Sequence, residues 1–139
     1  MKLTFSYECP IPSVIKGSND VVSILRSIMS EDEIQIFESM VCIYLNQAHG
    51  VLGWKKVSQG GVSQTVIDNR LVLAPAILSA ASAIILCHNH PSGNLNPSAN
   101  DKKVTTRLSE ACDLFNVRLL DHIILTKDSH YSMADNCDF

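Results

Sequence analysis

His88 and His90 stand two residues apart, and Ser98 and Asp101 follow at fixed distances in the stretch His88-Asn89-His90-Pro91-Ser92-Gly93-Asn94-Leu95-Asn96-Pro97-Ser98-Ala99-Asn100-Asp101. Imidazole nitrogens and a carboxylate oxygen are ligands that a catalytic zinc accepts, and three of them leave a fourth position open for water. The apolar run Ala83-Ile84-Ile85-Leu86-Cys87 that delivers the first histidine reads as a buried strand. Side chains i and i+2 of a strand share a face, so His88 and His90 point to one side. Pro91-Ser92-Gly93 turns the chain. Ser98 then offers an N-cap, which puts Asp101 on the first turn of a helix. One strand end and one helix start thereby bring three ligands together. Each residue also has an ordinary role: a surface histidine pair, a helix cap, an acid favoured near a helix N-terminus. The combined spacing of four polar identities favours the metal over these.

This pattern resembles the JAMM motif of the JAB/MPN metallopeptidases, and the chain looks most like their RadC-like branch, which carries His-Asn-His-Pro-Ser-Gly followed by Pro-Ser and the aspartate. Tyr44-Leu45-Asn46, Val57-Ser58-Gln59-Gly60-Gly61-Val62-Ser63 and Leu119-Leu120-Asp121-His122 also match, so the resemblance runs from about Gly17 to Asp135. It implies a zinc-dependent peptidase or isopeptidase in which His88, His90 and Asp101 hold Zn²⁺. The family's motif includes a glutamate well upstream of the histidines. Glu38 is the best match, because it precedes the strand-like run Met40-Val41-Cys42-Ile43-Tyr44-Leu45-Asn46 as the family's glutamate does. In that scheme Glu38 takes the proton of the attacking water and returns it to the leaving amine. The Ser98 hydroxyl donates to the developing oxyanion. A peptide or protein substrate follows from the same resemblance.

A chain of 139 residues, 46% hydrophobic and 18% charged, suits one globular domain with a real core. Its net charge of −3 and pI of 5.9 do not suggest a protein built around phosphate binding. DNA as a partner therefore has no support from charge, although RadC-like proteins are traditionally labelled repair factors. Full-length relatives resemble this chain but carry an N-terminal helix-hairpin-helix-type segment, which a chain beginning this close to the metallo-domain is expected to lack. Cys9, Cys42, Cys87, Cys112 and Cys137 are odd in number and form no Cys-x-x-Cys, so neither a disulfide framework nor a zinc ribbon is indicated. No signal region is evident, and no stretch approaches the roughly 18 consecutive apolar residues of a membrane helix. The expected location is cytoplasmic.

Along the chain, residues 1–16 read as an irregular arm and residues 17–139 as the metallo-domain. Ser18-Asn19-Asp20 is expected to cap a helix, and the acidic Glu31-Asp32-Glu33 to form a solvated loop. Residues 38–46 and 51–58 flank a Gln47-Ala48-His49-Gly50 turn, as in a β-hairpin. Asp68 is a plausible cap for a helix over 69–81 with Leu71, Leu73, Ile77 and Leu78 inward, and Pro75 should kink it. A helix over 98–115 should bury Val104, Leu108, Ala111 and Leu114 or Phe115. Strands are expected over 118–125 and 131–133. The alternation gives a single α/β domain with a central mixed sheet and helices packed on it. The resemblance implies the same thing, a cytidine-deaminase-like (JAB/MPN) architecture.

Other polar residues have plainer expectations. His122 reads as a satisfied core histidine, His49 and His130 as surface residues, and Asn89 should face away from the ligands. Gly60, Gly61 and Ser63 either shape a groove beside Glu38 or simply bend the chain. A base deaminase is excluded by motif, since His-x-Glu with a later Pro-Cys-x-x-Cys is absent. A non-catalytic zinc-binding interaction module remains as an alternative. Structural zinc normally has four protein ligands, against the three found here.

Overall fold

A computed structural model of the chain describes residues 14–60 and 67–139. Most of the expected arm over 1–16, and the reading of Gly61 and Ser63 as groove residues, lie outside the described residues. Of the arm, Val14 forms an antiparallel bridge with Gly50, and the Ile15 N–H donates to the His49 carbonyl at 2.9 Å.

The element order is α1 (Ser18–Ile28), α2 (Glu31–Ile36), β1 (Ser39–Leu45), β2 (Val51–Gln59), α3 (Asn69–Leu78), β3 (Ala83–Asn89), α4 (Ala99–Asp113), β4 (Arg118–Leu125) and β5 (His130–Ser132). The strands form one mixed sheet in the order β2-β1-β3-β4-β5. Only β3 and β4 run parallel, joined by α4 as the crossover; the other pairs are antiparallel. This is the expected α/β domain with helices on a central mixed sheet, consistent with a JAB/MPN fold.

Strand alternation sorts the core into two layers. Val41, Ile43, Leu45, Ile85, Cys87, Ile123 and Leu125 face α1 and α2 and pack on Val21, Ile24, Leu25 and Ile34. Met40, Cys42, Tyr44, Ile84 and Leu86 face α3 and α4 and pack on Val72, Leu73, Ala76, Leu108 and Cys112. Burying each large aliphatic side chain contributes about 1.5–3 kcal/mol. Cys42 and Cys87 are buried, as their apolar runs suggested, and burial pushes both thiols far up. They are packing residues rather than nucleophiles.

Several expectations are corrected. Residues 31–33 form the first turn of α2, because the Ser30 hydroxyl accepts from the Glu33 N–H at 3.1 Å and Ile34 anchors the turn in the core. Gly17 rather than Ser18 is the N-cap of α1, and the Asp20 carboxylate instead accepts the Lys16 N–H. In α3, Leu71, Ile77 and Leu78 are exposed, while Val72, Leu73, Pro75 and Ala76 are buried. The helix presents smaller side chains to the sheet and keeps only one leucine inside. Asp68 caps it as expected, accepting the Arg70 N–H at 2.9 Å. Leu114 and Phe115 lie beyond α4 and are exposed, because the inward face of that helix ends at Cys112. The last strand is His130–Ser132 rather than 131–133.

Candidate metal centre

Two elements end at one point. β3 extends through His88 and Asn89, fully buried, before the Pro91-Ser92-Gly93 turn. α4 begins under it with a capping box: the Ser98 hydroxyl accepts from the Asp101 N–H at 3.0 Å, and the Asp101 carboxylate accepts from the Ser98 N–H at 2.7 Å. The box fixes the Asp101 side chain as well as the helix start. Asp101 Oδ1 lies 3.2 Å from His88 Nε2, and Oδ2 lies 3.5 Å from His90 Nε2. The two Nε2 atoms are 2.8 Å apart.

The 3.2 and 3.5 Å spacings suit a metal, while the 2.8 Å between the two imidazole nitrogens is closer, at hydrogen-bond distance. Ligands about 2.1 Å from a tetrahedral zinc stand roughly 3.4 Å from one another. His90 Nδ1 sits 2.6 Å from the Asn94 carbonyl, which can only accept. The neutral His90 ring therefore keeps its proton on Nδ1 and turns a lone pair on Nε2 toward His88 and Asp101. Lone pairs and a carboxylate converging at this distance are a donor set that a cation satisfies. The electrostatics point the same way. Burial alone would raise the Asp101 carboxyl, but the two imidazoles beside it outweigh that and hold it far below the usual carboxylate range. The Asp101 carboxylate in turn raises His90 against the effect of burial.

Glu38 arrives from the other direction. The antiparallel register places Met40 opposite His88, so the chain entering β1 and the chain leaving β3 emerge from the same end of the sheet. Glu38, His88 and His90 each offer a ligand atom within 4.8 Å of the others, near enough for the carboxylate to act directly or through one water. Asn89 holds this entrance in place. Pointing to the opposite face from the histidines, as expected, it accepts the Ser39 N–H at 2.8 Å and donates to the Ile34 and Phe37 carbonyls at 2.8 and 2.6 Å. Three backbone groups on either side of Glu38 are thus tied to the residue between the two histidines. The Glu38 carbonyl also accepts from the Gly60 N–H at 2.9 Å.

A cleft of about 690 Å³ opens over these groups, lined among others by Ile36, Phe37, Glu38, His90 and Ser98. Ile36 and Phe37 are largely exposed, giving it an apolar lip. The structure thus brings together Glu38, His88, His90, Ser98 and Asp101. His49 is on the surface as expected, while His130 is half-buried.

Two participants were not legible as such. His122 is a wholly buried core histidine, and its partner is a candidate ligand: His122 Nε2 lies 2.7 Å from His88 Nδ1. Thr105, buried one turn after Asp101, sits 2.6 Å from His122 Nδ1. Only the i+4 spacing of Thr105 from Asp101 on one helix face was available to signal it.

Residues 15–138 match the family described as RadC-like JAB domain. A UPF0758 protein of Flavobacterium johnsoniae is 37% identical over 121 residues, covering 87% of this chain and 52% of that protein. One from Pseudomonas fluorescens is 39% identical over 123 residues, covering 88% of this chain and 54% of its own length. The Pasteurella multocida UPF0758 protein PM1152 is 35% identical over 129 residues, covering 93% and 56%. The chain spans about half the length of the curated relatives it matches.

Proposed function

The chain belongs to the RadC-like JAB domain family, and from that premise we propose that it is a zinc-dependent hydrolase of amide bonds, a peptidase or isopeptidase. The observation that carries this reading is the convergence of His88, His90 and Asp101 at metal-ligand spacing beneath a cleft that also holds Glu38. His88, His90 and Asp101 hold the metal. Zinc, when bound, supplies a Lewis acid that polarises a carbonyl and makes water acidic near neutral pH. Glu38 accepts a proton from the attacking water and passes it to the departing amine. The Ser98 oxygen already accepts the Asp101 N–H, so its own hydrogen is available to a developing oxyanion. Losing such a donor costs about 10²–10³ in rate.

The cleft favours a peptide over a nucleic acid. Among its described lining residues there is no lysine or arginine, whereas a phosphate-binding groove needs cations. Its apolar lip suits a hydrophobic side chain next to the scissile bond.

The test is cleavage of a peptide and protein library by zinc-loaded protein, run beside Glu38→Gln. Wild-type protein should cleave, and the variant should keep its zinc while losing about 10²–10⁴ in rate. Loss of zinc in the variant would make Glu38 a ligand. Absence of cleavage together with salt-sensitive DNA binding would favour the DNA-associated reading instead.

A further inference from the structure

His122 and Thr105 lie behind His88, away from the cleft, and a chain of hydrogen bonds joins the three, its direction set by where the Thr105 hydrogen points. The Thr105 hydroxyl has one. The Asp101 carbonyl, 2.7 Å away, can only accept, so Thr105 donates there. Its weaker alternative, the Met133 sulfur at 3.7 Å, would also use that hydrogen. Toward His122 Nδ1, 2.6 Å away, the Thr105 oxygen must therefore accept. His122 consequently carries a hydrogen on Nδ1. It is completely buried, and no carboxylate is hydrogen-bonded to its ring among the described residues, so it is neutral and its Nε2 bears a lone pair. That lone pair faces His88 Nδ1 at 2.7 Å, and His88 must donate to it. In this direction of the chain the hydrogen of His88 lies on Nδ1, leaving Nε2 as a lone pair toward Asp101 and toward His90 Nε2, 2.8 Å away, an approach of lone pairs that a shared cation relieves.

We propose that His122 and Thr105 are positioning residues which lock His88 in the one tautomer that can ligate through Nε2. The chain of bonds closes on itself. Asp101 offers its side chain to the metal site, and its backbone carbonyl orients Thr105, hence His122, hence His88. One turn of α4 therefore supplies a candidate ligand and sets the tautomer of another. The alternative tautomer would put a hydrogen on His88 Nε2, where it would block coordination. Groups of this kind behind a ligand typically change metal affinity by roughly 10–100-fold when removed.

This role rests on the proposal that His88 binds metal, and the experiment separates the two. Imidazole ¹⁵N spectra of the metal-free full chain, recorded at alkaline pH, should place hydrogen on Nδ1 of both His122 and His88. Thr105→Val, nearly isosteric, should mix the tautomers at both and weaken zinc binding roughly 10–100-fold in a chelator competition. Thr105→Ser should restore wild-type behaviour in both measurements. A purely structural role for Thr105 would lower the melting temperature of Thr105→Val and leave tautomer and affinity alone. Hydrogen on Nε2 of His122 in the wild type, or a Thr105→Val protein matching wild type in both readings, would overturn the relay. Failure of the wild type itself to bind zinc would overturn the metal reading and this role with it.

Discussion

The two faces of the sheet are built from the same strands and do different work. On the α1 face the buried side chains of β1, β3 and the helices are aliphatic almost throughout, and Ile24 and Leu25 meet Ile43, Ile85 and Ile123. On the α4 face the apolar layer of Met40, Cys42, Ile84 and Leu86 gives way, one residue pair further along, to His88, His122, Thr105 and Asp101. Buried polar groups are tolerated there because each has a partner: imidazole to imidazole, imidazole to hydroxyl, hydroxyl to carbonyl. Both faces carry an apolar core, and the α4 face replaces apolar contact with hydrogen-bonded polar groups at a single end. Asn89 joins them. It projects to the α1 side, yet what it holds is the segment that presents Glu38 to the other side.

That division can be broken in order of expected effect. His88→Ala with His90→Ala should abolish stoichiometric zinc, measured by elemental analysis, while circular dichroism keeps its α/β signature. Full zinc content in the double variant would end the ligand assignment. On the other face, Leu25→Ala should lose about 2–5 kcal/mol in urea unfolding and leave zinc affinity intact. A parallel loss of affinity would mean that the faces are not independent. Asn89→Ala leaves the Ser39 N–H and two carbonyls without their side-chain partner, at a cost of about 1–3 kcal/mol per unsatisfied buried group. Its turnover should fall more than its zinc affinity, since the ligands are untouched and Glu38 is loosened. An equal fall in both would show that Asn89 supports the histidines instead.

The smallest effect concerns pH. Burial holds His122 well below its ordinary value of 6.5, so the unfolded chain binds a proton there that the folded chain refuses. A depressed histidine makes the folded state lose stability as pH falls through 6.5. The slope contributed is up to about 1.4 kcal/mol per pH unit. His90, raised by Asp101, acts in the opposite direction in metal-free protein. The measurement is therefore the difference between wild type and His122→Gln. The variant's stability should depend less on pH between about 6.5 and 5, and identical profiles would mean that His122 is protonated in the fold.

Much of this was legible in the residues themselves. The apolar run before His88, the turn residues after His90 and the Ser98 cap were enough to place two imidazoles and one carboxylate at one point. They depend on local rules: strand alternation, turn chemistry and capping. The same rules failed where size was taken for burial. Leu71, Ile77, Leu78, Leu114 and Phe115 are large and apolar but exposed, because the inward faces of α3 and α4 are set by docking on the sheet. The acidic Glu31-Asp32-Glu33 was misread because a short helix depends on its cap and on one anchoring isoleucine more than on overall polarity.

The sequence by itself thus determined which side chains meet at the end of β3 and the start of α4, the strand and helix that carry them, and the mixed α/β class, all written in short-range patterns. What only the tertiary structure decided is which distant residues stand behind that set. His122 reaches the α4 face through an irregularity in the β3–β4 pairing. Ile84 pairs with Leu119 but Ile85 pairs with Asp121, so Leu120 is passed over and the alternation shifts by one. Leu119 and His122 then share a face that strict alternation would deny them. Such a bulge depends on how two strands meet across the sheet, and neither strand's own residues encode it.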